Sequence, residues 1–124
     1  MSDTEINTEL DTSSLERLSY ETPFFVFSKN KIIQKFNEFK ANFPNAVIHY
    51  AMKANSELEV LKTLAELGSN FEVASKYELD LLKTLKISPE RIVYGTSVKP
   101  FSHIKYFFDY GVSKFAFDSL PELE

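Results

Sequence analysis

Lys53 is the residue whose type and place best suit chemistry. It lies in Tyr50-Ala51-Met52-Lys53-Ala54-Asn55, at the end of the apolar run Ala46–Met52, which predicts a strand. An ammonium group at the end of a buried strand is costly unless its charge or its nitrogen is used. Strand ends in α/β folds are where ligands and catalytic groups collect. The chemistry that fits is that of an amine nucleophile of the Schiff-base kind, which attacks a carbonyl once its proton is lost. The plain alternative is a lysine that snorkels to solvent from the last strand position.

The elements that must position this lysine follow from the patterning. The chain has 124 residues, 44% of them hydrophobic and 26% charged, with a net charge of −4. That is one domain at most, with enough apolar surface for a core. The mild acidity and the lack of a Lys/Arg run argue against nucleic acid as a partner. The absence of Cys excludes disulfides, thiolate metal sites and cysteine nucleophiles. With His49 and His103 as the two histidines, a histidine-based metal cluster is not expected. No apolar run approaches the roughly 18 residues of a membrane-spanning helix and no secretory signal opens the chain, so the expected compartment is the cytosol. The 12 Phe and 6 Tyr are expected to fill the core, Phe107 or Phe108 facing a neighbouring layer.

Residues 1–20 are polar, acidic and rich in Ser and Thr, and predict a flexible arm. Residues 21–124 predict the folded part. Phe24–Phe27 predicts a short buried strand. Ile32, Ile33, Phe36 and Phe39 recur at helical spacing up to Pro44, which denies the helix a continuation. After the strand that leads to Lys53, Asn55 or Ser56 offers a cap to a helix with Leu58, Leu61, Leu64 and Ala65 as its buried stripe. Gly68 closes it. Asn70–Ala74 predicts a strand, and Ser75-Lys76-Tyr77-Glu78 a capping box that opens a helix carrying Leu79, Leu82 and Leu85. Arg91–Tyr94 is the next strand, followed by a helix with Ile104, Phe107 and Phe108 that ends near Gly111. Lys114–Phe117 is the last strand, and Ser119 begins another capped helix.

From Ala46 onward a strand–helix unit thus returns about every 22 residues. Such units imply right-handed crossovers and a parallel sheet, either open and doubly wound or part of a (β/α)8 barrel. No G-x-G-x-x-G follows a strand, so a dinucleotide fold is not expected. A complete barrel needs eight strands and about 250 residues. The expectation is therefore roughly half of a TIM-type barrel, preceded by a flexible arm and one extra strand. It would be the truncated N-terminal part of a longer enzyme, or a chain that pairs with a partner along an exposed apolar edge.

Read together, Pro23–Phe27, Tyr50-Ala51-Met52-Lys53-Ala54-Asn55, and Phe71-Glu72-Val73-Ala74-Ser75 with Glu78 and Leu79 resemble the fold-type III pyridoxal-phosphate decarboxylases. This is the ornithine/diaminopimelate/arginine decarboxylase family, related in its barrel to alanine racemase. Arg91–Tyr94, Val98-Lys99-Pro100 and Phe117-Asp118-Ser119 continue the match in the same order, the last two closest to the ornithine decarboxylase branch. The likeness runs from about Thr22 to the C-terminus.

The resemblance implies a pyridoxal 5′-phosphate enzyme acting on a basic amino acid of the ornithine or lysine type, as in polyamine biosynthesis. It would be a homodimer at full length. It implies that Lys53 holds the cofactor covalently and that Ala51 is a small residue lining it. Glu72 stands where ornithine decarboxylases usually carry Asp near the cofactor. Glu78 matches an acidic position of the family, which its capping-box place explains equally well. The first strand resembles the segment that joins the family's separate β-domain. The family's glycine-rich phosphate loop, stacking histidine, pyridine-pairing glutamate, substrate-reading acid and interface cysteine have no match here. His49 is expected to be a satisfied packing residue, His103 a surface or helix-start residue, and the chain alone not a competent decarboxylase. Two other functions remain open: a non-catalytic truncated homologue that binds a partner protein, and a racemase-like pyridoxal enzyme.

Overall fold

The computed structural model describes residues 16–17, 19–21 and 23–123, so most of the expected polar arm lies outside the described residues. Helix α1 (Lys29–Asn42) is capped by Ser28, whose Oγ accepts from the Lys31 N–H at 3.3 Å. It stops where sequence analysis expects, because Phe43 precedes Pro44 and is forced out of the helical region, to φ −127° and ψ 67°.

Strand β1 (His49–Ala51) is shorter than the expected Ala46–Met52. Among the described strands it pairs with β2 (Asn70–Val73) alone, and at its end the chain winds into a 3-10 turn, Met52–Ala54, that drives Met52 into the core. Strand β3 (Ile92–Tyr94) lies on the other side of β2. All three strands are parallel and follow one another in chain order. That sequential order is what one wall of a barrel requires. The expected strand Lys114–Phe117 is reduced to one parallel bridge, Tyr94 to Phe115. Its ladder is nonetheless in place: Tyr94 N–H donates to Lys114 O and Ala116 N–H to Tyr94 O, each at 2.9 Å.

The extra strand expected at Phe24–Phe27 does not form. Strand backbone must find hydrogen-bond partners, and no neighbouring strand is offered to it among the described residues. Phe25 is left 90% exposed. An apolar groove of about 450 Å³, lined by Phe27, Ile32, Phe36, Phe39, Ile48 and Tyr50 among others, opens beside β1.

Helices α2 (Leu58–Glu66), α3 (Lys76–Thr84) and α4 (Phe101–Tyr110) supply the outer layer. The start of α2 differs from expectation. Asn55 Oδ1 accepts from Glu57 N–H at 2.9 Å, a turn completed before the helix, and Glu57 becomes an N-cap with no side-chain bond. The buried face shifts accordingly to Val60, Leu61, Thr63 and Leu64, and Leu58 is exposed.

Register divides the sheet into two faces. Phe71, Val73, Ile92 and Tyr94 point under the helices and are fully buried with Leu61, Leu79, Leu82 and Phe107. Burying each such side chain contributes about 1.5–3 kcal/mol. The Tyr94 and Phe107 rings stack at 3.9 Å between centroids. On the opposite face stand His49, Ala51, Asn70, Glu72 and Val93, all half-buried. Since side chains alternate along a strand, every second residue is delivered to this inner face.

One device ends all three of these helices. Gly68, Lys86 and Gly111 adopt positive φ (85°, 56° and 105°), and the next residue bonds back to a carbonyl five positions earlier. That next residue, Ser69, Ile87 or Val112, is buried each time. Lys86 is the unexpected member, since a side chain at positive φ costs about 1–2 kcal/mol. No helix among the described residues is long and apolar enough to cross a membrane.

Candidate active site

The inner face and the carboxyl ends of the strands converge on one rim. Lys53 lies there, one residue into the 3-10 turn that follows β1, with its side chain exposed. It does not sit in the strand itself, because Ala51 is the last paired residue and the chain turns at Met52, which is buried. The turn is held by Tyr50, whose hydroxyl donates to Asn55 O at 3.0 Å. Burial raises the Tyr50 phenol above its ordinary range, so it remains a donor.

Ala51, Glu72 and Val93 form one row across the sheet, Glu72 being the Cα partner of both neighbours. Two of the expected site residues, Ala51 and Glu72, are thereby side by side, and Ala51 stands two positions before Lys53.

Glu78 is placed differently. Ser75 caps α3, its Oγ accepting from Glu78 N–H at 3.3 Å, and Glu78 Oε2 accepts from Ala74 N–H at 2.6 Å. The reciprocal capping expected from S-x-x-E is formed, displaced by one residue to Ala74. Glu78 therefore braces the corner between β2 and α3.

Two contributors were missed by sequence analysis. Gly95, directly after β3, lies against the Glu72 side chain. In a chain with three glycines, one that follows a strand was the available signal. The other is Lys99. Its side chain is 2% exposed, and Nζ donates to Thr96 O at 2.7 Å and Ser97 O at 3.1 Å and pairs with Glu122 Oε1. The Lys99 ammonium beside Glu122 holds that carboxyl below the usual carboxylate range. No local pattern marked Lys99 as buried.

His49 is also corrected. Its Nδ1 is buried without a hydrogen-bond partner among the described residues, so it packs but is not satisfied; as part of the edge strand β1 it has a neighbouring strand on one side alone. His103 lies half-buried in the first turn of α4, a helix-start residue as expected. Among the described residues no group of three or more His, Cys, Asp or Glu could hold a metal ion.

Comparison with known proteins bears on what this rim does. Residues 29–124 match the family described as "Pyridoxal-dependent decarboxylase, pyridoxal binding domain". Ornithine decarboxylase of Saccharomyces cerevisiae is 40% identical over 103 residues, which is 83% of this chain and 22% of that protein. Antizyme inhibitor 2 of Xenopus laevis is 40% identical over 100 residues, 81% of this chain and 22% of that protein. A crystal structure of lysine decarboxylase from Selenomonas ruminantium superposes with a TM-score of 0.83 at 35% identity, covering 94% of this chain and 31% of that one. A structure of SrLDC in complex with PLP and cadaverine gives the same values. The chain spans about a quarter of the length of the curated relatives it matches. Its parallel α/β layers match the N-terminal barrel domain of these decarboxylases, and the family's cofactor is pyridoxal phosphate. Over the stretch that forms this rim, the chain belongs to the pyridoxal-dependent decarboxylase family.

Proposed function

We propose that the whole protein removes the carboxyl group of a basic amino acid of the ornithine or lysine type, with pyridoxal phosphate held on Lys53, and that this chain forms the N-terminal portion of its barrel. What supports this reading is that Lys53 follows directly on the strand end that carries Ala51, whose neighbour across the sheet is the carboxylate residue Glu72. That the matched relatives include decarboxylases of ornithine and lysine supports the substrate class.

The residues present fit the cofactor. An exposed primary amine can reach an aldehyde, Ala51 beside it is small, and Glu72 in the same row supplies a polar group on the inner face. Once bound, pyridoxal phosphate supplies an electron sink for the pair left by loss of CO2. Lys53 would hold the aldehyde carbon through Nζ, and the same amine, exposed on the rim, would be a group able to carry a proton there. Glu72 orients polar atoms on the inner face, and Glu78 keeps the β2–α3 corner below it in place. At full length the protein works as a homodimer, as the resemblance implies.

The test is covalent mapping. The full-length polypeptide is incubated with pyridoxal phosphate, reduced with borohydride and digested. The expected result is a visible absorbance band that disappears on reduction and a pyridoxyl group on Lys53. Modification spread over exposed lysines, with none favoured, would overturn the assignment.

The likeness to antizyme inhibitor 2 favours a second reading, in which the protein binds a partner and catalyses nothing. In that case the absorbance band would be absent and partner binding would be indifferent to Lys53. A racemase-like function is the weaker alternative, because Phe71-Glu72-Val73-Ala74-Ser75 and Phe117-Asp118-Ser119 fit decarboxylases better.

A further inference from the structure

The Glu72 side chain fills the place that a side chain at position 95 would take. An ideal Cβ on Gly95 would lie 2.5 Å from Glu72 Cγ and 2.7 Å from Glu72 Cδ, with Oε1 closer still. The positive-φ glycines are Gly68 and Gly111, so the backbone at position 95 does not demand glycine. With Glu72 in its present place, a side chain at position 95 has no room.

Neither backbone can retreat to make room. Gly95 N–H donates to Val73 O at 2.9 Å, continuing the β2–β3 ladder past the last residue of β3. Glu72 is in the middle of the sheet, aligned with Ala51 on one side and Val93 on the other. A methyl group added at position 95 must therefore be accommodated by moving the Glu72 side chain. That side chain is half-buried, so it can turn away, and in doing so it leaves the place it now holds.

We infer that Gly95 is a positioning residue: its missing side chain forms the seat that sets where the Glu72 carboxylate stands on the rim beside Ala51 and Lys53. The space left open at Gly95 is what receives the Glu72 side chain. The functional part of this inference rests on the proposal that the rim holds pyridoxal phosphate.

The test is a double-mutant cycle in the full-length polypeptide, comparing wild type, Gly95→Ala, Glu72→Ala and the double variant. Two quantities are read: the thermal midpoint without cofactor, and the dissociation constant for pyridoxal phosphate from its visible band. Gly95→Ala is expected to lower the midpoint and to weaken cofactor binding about tenfold when Glu72 is present. With Ala at position 72, the same change is expected to leave the midpoint in place and to alter binding less than twofold. Equal midpoint shifts in both backgrounds would overturn the pairing, whether or not cofactor binds. A midpoint shift that depends on Glu72, with no change in cofactor binding, would overturn the positioning role. Should wild type take up no cofactor, the pyridoxal proposal fails and the positioning role falls with it, and the midpoints alone decide whether the two residues are packed as a pair.

Discussion

Lys99 and Glu122 form a nearly buried ion pair that ties the loop after β3 to the turn after the fourth strand position. The lysine also accounts for the Thr96 and Ser97 carbonyls, so one ammonium organises two of the loops on the carboxyl side of the sheet. A buried charge whose partner is removed is left without compensation, and such changes are strongly destabilising.

This pair predicts a pH dependence. The Glu122 carboxyl has its pKa lowered in the folded state, first by the hydrogen bond from Lys99. A group of this kind contributes stability that is fully present above its unfolded-state pKa and is lost as pH falls through the folded-state value. Thermal midpoints measured from neutral to acid pH should therefore decline below the ordinary carboxylate range. Glu122→Gln should lower the neutral-pH midpoint and flatten the acid decline. An unchanged pH profile in the variant would show that the pair contributes nothing.

Lys53 is exposed, so its removal should not disturb folding. Lys53→Ala is expected to change unfolding free energy by no more than about 0.5 kcal/mol, the usual range for a surface substitution. In the full-length polypeptide the same variant should lose nearly all decarboxylation of ornithine or lysine, followed by CO2 release. Turnover retained at a comparable rate would refute the role given to this amine.

Phe107 and Phe108 are adjacent but differ in burial, at 0% and 70% exposed. Phe107→Ala removes the ring stacked on Tyr94 and should cost about 3–5 kcal/mol in denaturant unfolding. Phe108→Ala should stay within about 0.5 kcal/mol. Similar costs for both would mean that α4 sits on the sheet by another face.

The helix-ending device predicts opposite signs at two positions. Lys86→Gly relieves a side chain at φ 56° and should raise stability by up to about 1 kcal/mol. Gly111→Ala places a Cβ at φ 105° and 3.2 Å from Pro89 Cγ, and should lower stability by about 1–2 kcal/mol. Urea midpoints of the two variants check both signs.

Local pattern was enough to read the parallel strand–helix repeat, the C-terminal ends of α1 and α2, the Ser75–Glu78 cap and the strand that leads to Lys53. These depend on periodicity, on proline and glycine geometry and on short-range hydrogen bonds, all of which lie within a few residues of one another. Tertiary structure decided the rest. Phe24–Phe27 is apolar enough for a strand, yet a strand exists through its neighbour, and none pairs with it among the described residues. Lys99 reads as a surface cation until a glutamate 23 positions away neutralises it. Gly95 matters through a side chain that reaches it across the sheet from β2. In each case the deciding contact joins residues far apart in the chain, where no spacing rule operates and the folded backbone alone determines which groups meet.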